Sequence, residues 1–183
     1  MNNFYNSYFK VDTEKVVQNF YKVKEYIGPD TEIIPVIKGN CYGYGLVPMA
    51  KLFEERCHVS LIANAAMYEA VQLRQGGVKC DILIIGGIPQ HLLHGAIEYD
   101  LQVPLFEAET AKRLNSLSAS AGKKTKVHIK LETGMNRLGV RPGEDLSRLL
   151  ELVKSLENLE VVGAYTHFAT STADYNDPFV LEQ

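Results

Sequence analysis

The chain has 183 residues, a mass of 20.5 kDa and a formal charge of −3 at pH 7. Its hydrophobic share of 46% and charged share of 22% are those of an ordinary globular protein, which excludes disorder, a collagen-like fibre and a coiled coil as descriptions of the whole chain. A pI near 6.0 gives no electrostatic reason to expect a nucleic acid or an anionic membrane as a partner.

Cysteine usage and the N-terminal residues predict a cytoplasmic protein. Cys41, Cys57 and Cys80 are an odd number without C-x-x-C spacing, so neither a disulfide framework nor a four-cysteine zinc site is expected. His91 and His94 share a helix face without a third ligand, so no metal site is predicted. No export signal is visible, and the longest uncharged stretch is far shorter than the ~20 apolar residues of a membrane span.

Short β-rich segments alternate with amphipathic segments along the chain. We predict helices near residues 12–26, 47–56, 67–75, 90–98, 108–118, 144–156 and from 177 onwards, and strands near 32–38, 59–63, 82–85, 102–106, 127–131 and 161–166. The short connections favour parallel strands joined by crossover helices. The chain thus contains about six β/α units, and no domain boundary is visible. A doubly wound sheet could be built from six units, whereas a closed barrel needs eight, over roughly 250 residues.

The most informative segment spans residues 35–45, Pro-Val-Ile-Lys-Gly-Asn-Cys-Tyr-Gly-Tyr-Gly. Lys38 ends a buried strand there, at the edge where α/β folds bind ligands. Loss of water at such an edge disfavours the ammonium form, so the amine could act as a nucleophile or form a Schiff base. The alternative is a surface lysine beside an ordinary β/α turn. A dinucleotide site is excluded because Pro48 stands where the third glycine of its motif is needed.

A second segment spans residues 127–140. His128, Lys130 and Glu132 alternate there with apolar residues, so one face of the predicted strand is polar. Arg137 follows in a glycine-flanked turn, and its planar guanidinium suits an oxygen anion such as a phosphate, phenolate or carboxylate. The alternative is a half-exposed edge strand whose charges are solvated.

A third segment spans residues 163–169 and ends a hydrophobic strand with His167. A histidine at this place could be a general base, a ligand or a stacking partner, or a hydrogen-bonded histidine of the core. Taken singly, none of the three segments decides the function.

Together, the three segments resemble the alanine racemase family. Residues 36–45 are similar to its pyridoxal-phosphate lysine motif, residues 130–139 to its arginine motif and residues 165–169 to its histidine motif, in the family's order. The resemblance extends over nearly the whole chain. It implies an α/β fold in which residues 1–183 form the N-terminal part of a (β/α)₈ TIM-type barrel, truncated to about six β/α units, with the last barrel units and a C-terminal β-domain absent from this chain.

The resemblance also implies a cofactor, pyridoxal 5′-phosphate, and the residues that bind it. Lys38 would hold the cofactor covalently and serve as one of two acid/base groups. Tyr42 would hydrogen-bond the phosphate, Ile85 would line the cofactor site, and Arg137 would contact the phenolic oxygen and the substrate. His167 would pack against the pyridine ring.

Further implications concern Lys130 and the second base. Lys130 would orient Arg137, and in several relatives the lysine at this position is carbamylated. The second base would be a tyrosine supplied by the partner subunit of a homodimer, so that the chain by itself is expected to be inactive. Glu132 stands where relatives usually have Asp.

The implied activity is an isomerase reaction that interconverts L- and D-alanine by proton transfer at Cα and supplies D-alanine for peptidoglycan precursors. Two alternatives stay open. One is a racemase for serine, lysine or a broad set of amino acids. The other is a pyridoxal-phosphate-binding module without catalysis. Gly39, Cys41 and Tyr44 differ from the residues that relatives often carry and leave the substrate open.

Overall fold

The computed structural model describes residues 8–170 and 176–183. From residue 61 onwards, strands and helices alternate as the sequence pattern predicts. The helical segments are α1 (Thr13–Ile27), α2 (Gly39–Tyr42), α3 (Leu46–Cys57), α4 (Met67–Gln75), α5 (Leu93–Glu98), α6 (Ala108–Ser120), α7 (Glu144–Lys154) and α8 (Pro178–Glu182), with a 3₁₀ turn at Gln90–Leu92. The strands are β1 (Leu61–Asn64), β2 (Asp81–Ile84), β3 (Val103–Leu105), β4 (Thr125–Lys130) and β5 (Leu159–Tyr165).

Every strand pair is parallel, and neighbours follow the order of the chain. β1 pairs with β2, and β3, β4 and β5 form a second, three-stranded sheet. A single parallel bridge between Leu83 and Gln102 joins the two sheets. Another, between Val36 and Ala63, adds a sixth extended segment beside β1. A doubly wound sheet reverses its strand order at a switch point, and no reversal occurs among the described strands.

The predicted strand at residues 32–38 is reduced to one bridging residue, Val36. Around it, the Ile37 N–H donates to the Ala63 carbonyl at 2.7 Å, and the Ala63 N–H donates to the Pro35 carbonyl at 2.9 Å. The next bond of a parallel ladder would come from the N–H of residue 35, which proline lacks. The segment therefore keeps its place beside β1 without becoming a full strand.

Local signals explain where the first helix begins and ends. The Asp12 carboxylate accepts a hydrogen bond from the Lys15 N–H at 3.2 Å and caps α1, and Gly28 ends the helix with φ +85°. The sequence prediction of a helix at residues 12–26 is confirmed to within one residue.

Within the described ranges, no helix is both long enough and apolar enough to cross a membrane.

Apolar side chains of the strands and helices form a continuous core that extends from α1 to β5. The largest side chains in it that are completely buried are Ile37, Ile62, Leu73, Ile82, Ile84, Leu93, Val103, Leu105, Leu114 and Val127. Burial of this apolar surface is the main favourable term in the folding free energy, at roughly 25 cal/mol per Å².

Polar side chains are also buried in the wall formed by the parallel strands. β4 has β3 on one side and β5 on the other, so it is a central strand, and His128 is only 9% exposed. His128 Nε2 lies 2.6 Å from Gln102 Oε1, and Gln102 Nε2 donates to Asp81 Oδ2 at 2.7 Å. The alternative of a half-exposed edge strand with solvated charges is therefore wrong, because the polar face is buried and hydrogen-bonded across strands.

Candidate active site

Most of the predicted site residues lie where strands end. Lys38 follows the first extended segment, Ile85 follows β2, Lys130 ends β4 and His167 follows β5, while Arg137 lies in the loop after β4. Because the strands are parallel, their carboxyl ends share one edge of the wall, which is the edge where folds of this class bind ligands.

The turn after Lys38 is left-handed. Lys38 itself is half-buried and extended, with φ −138° and ψ 161°. The four residues of α2 then have positive φ angles: Gly39 59°, Asn40 52°, Cys41 52° and Tyr42 54°. A left-handed conformation costs roughly 1–2 kcal/mol for each residue with a Cβ. Lys38 is thus followed by a strained turn rather than an ordinary β/α connection, and strain of this kind concentrates at functional sites.

The loop that carries Arg137 is organised by Glu132. The Glu132 carboxylate accepts hydrogen bonds from the Gly134 N–H at 2.6 Å and the Arg137 N–H at 3.1 Å. Hydrogen bonds from the backbone of Asn136, then of Gly134, hold the pKa of Glu132 below its usual range. Glu132 therefore positions Arg137 through the backbone, and the Arg137 side chain stays exposed.

Lys130 is the most deeply buried cation of the site, at 3% exposure. Burial lowers its pKa, the positive charge of Arg137 lowers it further, and Glu132 partly offsets these effects. Within residues 8–170 and 176–183 no carboxylate forms an ion pair with Lys130. As an ammonium Lys130 repels Arg137, so the implied role of orienting Arg137 needs a negative group on this lysine.

Tyr165, which the sequence analysis did not single out, connects Lys130 to Ile85. Lys130 Nζ lies 4.5 Å from the centre of the Tyr165 ring, a cation–π contact. The Tyr165 hydroxyl donates to the Ile85 carbonyl at 3.2 Å, and burial raises the pKa of this phenol. Tyr165 lies within the histidine motif, but the motif gives it no role. Only its position beside Lys130 reveals its contribution.

The charges of three cations act on His167. Its pKa is lowered by burial first, and then by the positive charges of Arg137, Lys130 and Lys38. The charges of Lys38, Lys130 and Arg137 therefore all act on His167, which agrees with their common position at the carboxyl ends of the strands. His167 is exposed, which makes the alternative of a core histidine wrong.

The other two predicted residues border this cluster less closely. Tyr42 is 68% exposed at the end of the left-handed turn. Ile85 is half-buried, and its N–H donates to the Asn64 carbonyl at 2.7 Å, which fixes its backbone at the strand edge. The structure thus places both residues at the same edge of the wall as Lys38.

The charges at this edge suit an anionic ligand. In the part of the chain that the structure describes, the ion pairs lie elsewhere, and none involves Lys38, Lys130 or Arg137. An amine, a guanidinium and an imidazole without partner carboxylates fit a phosphorylated aldehyde, which supplies both negative charge and a carbonyl group for Lys38. The same described residues contain no group of three His, Cys, Asp or Glu side chains placed to hold a metal ion.

The sequence model of the alanine racemase N-terminal domain matches residues 11–183 of this chain. The chain belongs to the alanine racemase N-terminal domain family. The alanine racemase of Desulforamulus reducens is 35% identical over 162 residues, which are 88% of this chain and 44% of that protein. The chain therefore spans less than half the length of this curated relative.

Solved structures give the same family. The alanine racemase of Clostridium difficile 630 superposes with a TM-score of 0.85 and 32% identity, covering 94% of this chain and 44% of that one. A histidine racemase from Leuconostoc mesenteroides subsp. sake superposes with a TM-score of 0.83 and 29% identity, covering 93% and 46%. The resemblance of the chain to the alanine racemase family is confirmed.

Proposed function

We propose that the whole protein carrying this chain is a pyridoxal-phosphate-dependent racemase that interconverts L- and D-alanine, and that this chain forms about six units of an incomplete (β/α)₈ barrel. The observation that carries the proposal is the half-buried Lys38, which follows the first extended segment at the strand edge and leads into a left-handed turn. The unreversed order of parallel strands supports the barrel. Sequence relatives named alanine racemase support the substrate.

The residues of this chain would divide the chemistry among them. When bound, pyridoxal phosphate delocalises the negative charge left on Cα after a proton departs. Lys38 would hold the cofactor aldehyde covalently through its amine, with release of water, and Nζ, freed when the substrate amine replaces it, would carry a proton to or from one face of Cα. Tyr42 donates its hydroxyl hydrogen to the phosphate, and Ile85 lines the site.

Arg137 and His167 would set the charge around the reacting group. The Arg137 guanidinium donates to the phenolic oxygen of the cofactor and to the substrate carboxylate. Loss of water, and then the positive charges of Arg137, Lys130 and Lys38, lower the pKa of His167 and favour its neutral form, which would stack on the pyridine ring without adding positive charge. The second acid/base group would come from a partner subunit, in a cytoplasmic homodimer.

Lys130 is expected to carry a carbamate. Its neutral amine attacks CO₂, an N–C bond forms and a proton is released to solvent, so a cation becomes an anion facing Arg137. Because burial lowers the pKa of Lys130, the neutral amine should be available at lower pH than in an exposed lysine, and the carbamate should increase as pH rises. Carbon-13 NMR with labelled bicarbonate measures it. The signal should disappear in Lys130→Ala and persist in Lys124→Ala, and a signal independent of Lys130 would contradict the assignment.

The function is tested with the whole protein, pyridoxal phosphate and each alanine enantiomer separately. Circular dichroism or chiral chromatography should show both enantiomers converging on an equal mixture, with exchange of the Cα hydrogen for deuterium in D₂O. Histidine, serine and lysine are assayed in parallel, since a histidine racemase shares this fold. Faster turnover of one of these amino acids than of alanine would assign that amino acid as the substrate. Cofactor binding without exchange at Cα for any of them would favour a non-catalytic module.

A further inference from the structure

Two buried polar side chains lie beneath the Lys38 turn. Glu69, in the first turn of α4, is 3% exposed, and Asn64, the last residue of β1, is completely buried. Glu69 Oε1 accepts a hydrogen bond from the Asn40 N–H at 2.8 Å, and Oε2 accepts one from Asn64 Nδ2 at 3.2 Å. One carboxylate therefore contacts both the left-handed turn and the neighbouring strand.

Asn64 extends this network to the residue before Lys38. Its Nδ2 also donates to the Ile37 carbonyl at 2.6 Å, and its Oδ1 accepts from the Ala66 N–H at 2.8 Å. Both ends of the amide are used, so its orientation is determined by its partners. Lys38 thus lies between the Ile37 carbonyl and the Asn40 amide, two backbone groups that are linked through Asn64 and Glu69.

The Asn40 side chain carries the connection onward. Its Oδ1 accepts from the Leu46 N–H at 2.9 Å, where α3 begins, and its carbonyl accepts from the Gly43 and Gly45 N–H groups at 3.1 Å. A change at Glu69 would therefore be transmitted to the whole turn that follows Lys38.

Glu69 is an unusual choice for a residue that only fills space. A buried carboxylate loses its hydration, and within the described residues no lysine or arginine forms an ion pair with Glu69. Its hydrogen-bond partners are amide donors. The cost of burying this charge is offset only if the two hydrogen bonds are made. One of them holds the Asn40 amide after Lys38, and the other holds the Asn64 side chain, which in turn contacts the Ile37 carbonyl before Lys38.

We propose that Glu69, acting with Asn64, is a positioning residue for Lys38. The pair holds the backbone on both sides of the lysine and stabilises the left-handed turn, so that the amine emerges beside Arg137 and His167. This inference rests on the proposed covalent role of Lys38. It assigns to Glu69 no contact with the cofactor or the substrate.

The decisive variant is Glu69→Gln. Glutamine has the same shape, but one of its two ends is a donor, whereas Asn40 N–H and Asn64 Nδ2 are both donors, so one hydrogen bond must be lost. Glu54→Gln is the control for the loss of charge alone. A single oxygen of Glu54 in α3 accepts the hydrogen bonds of the Lys79 and Cys80 N–H groups, away from the Lys38 turn, so glutamine can keep both of them.

The readout is the initial rate at which pyridoxal phosphate attaches to Lys38. The whole protein, freed of cofactor, is mixed with pyridoxal phosphate, the adduct is trapped with borohydride at intervals, and the modified peptide is quantified by mass spectrometry. We expect Glu69→Gln to slow labelling at Lys38 by at least about tenfold, because a hydrogen bond to a charged group is lost, and Glu54→Gln to stay within about twofold of wild type. Glu69→Asp, which keeps both acceptor oxygens, should recover part of the rate.

The outcomes separate this inference from the proposed function. Equal labelling rates in Glu69→Gln and Glu54→Gln, with both proteins folded by thermal melting, would overturn the positioning role while leaving the role of Lys38 intact. An unlabelled Lys38 in the wild-type protein would instead overturn the proposed function. If Glu69→Gln does not fold, Asn64→Ser removes the same link by shortening the side chain, and wild-type labelling in that variant would overturn the inference.

Discussion

Replacement of Lys38 by alanine in the whole protein is expected to abolish covalent attachment of pyridoxal phosphate and to reduce racemisation by roughly 10³-fold or more. The variant loses both the amine that binds the aldehyde and the group that exchanges a proton on one face of Cα. Lys38 is half-buried at the strand edge, and its charge acts on His167. Borohydride trapping followed by peptide mass spectrometry measures the attachment, and chiral chromatography measures the activity.

Two controls make this result specific to the amine. Lys38→Arg keeps the positive charge but cannot condense with an aldehyde, and it should be as inactive as Lys38→Ala. Added methylamine should restore a measurable part of the activity of Lys38→Ala, because a small amine can enter the space of the missing side chain. If Lys38→Ala retains more than about a tenth of wild-type activity, Lys38 is not the residue that binds the cofactor.

The second large effect is expected at Gly139, which closes the Arg137 loop. Gly139 has φ +133°, and a Cβ there would lie 2.7 Å from the Glu132 nitrogen and 2.7 Å from the Leu131 carbonyl carbon. These are backbone atoms of the segment that pairs with Val140, so they cannot move aside without breaking the loop. We expect Gly139→Ala to lower the free energy of unfolding by about 3 kcal/mol or more, from backbone strain and overpacking together.

Gly122→Ala provides the comparison for Gly139→Ala. Gly122 also has a positive φ, +63°, but a Cβ there meets nothing within 4 Å. Its cost should be about 1 kcal/mol, from the left-handed conformation alone. Urea unfolding followed by circular dichroism measures both variants, with a lower midpoint at unchanged slope as the expected result. A cost at Gly139 no greater than that at Gly122 would show that the loop accommodates a side chain.

Secondary structure could be predicted well because it depends on neighbours in the chain. The predicted helix at residues 67–75 has the bounds of α4. The Asp12 cap and the Gly28 stop are residues whose preferences act within a few positions. Parallel strand pairing could be predicted because a helical segment, with short connections at both of its ends, separates successive strands.

The prediction was poorer where pairing between distant segments decides the structure. Pro35 interrupts the ladder beside β1 because of the one N–H that it lacks, and this matters only because Ala63 is its neighbour. The placement of β4 at the centre of a sheet likewise depends on β3 and β5. His128 finds its partner Gln102 at a separation of 26 residues, which no local pattern reveals.

The three motifs predict which residues form the site, but they do not show which lysine is the most deeply buried. We predicted that loss of water would act on Lys38, but the most buried amine is Lys130, and Arg137 and His167 are exposed. Glu69 was also missed, because an acidic residue in the first turn of a helix is ordinarily explained by the helix dipole. Exposure depends on what packs against a residue, and that is a property of the folded chain.

The amino-acid sequence by itself determined the family and most of the alternation of strands and helices, and it predicts Lys38, Arg137 and His167 as site residues. These follow from residue types and spacings, which act over a few positions or recur as motifs. Only the tertiary structure decided that Lys38 is followed by a left-handed turn hydrogen-bonded to Glu69 and that Lys130 is buried against the ring of Tyr165. The reason is that hydrogen bonds, burial and charge repulsion depend on distances between atoms that folding alone brings together.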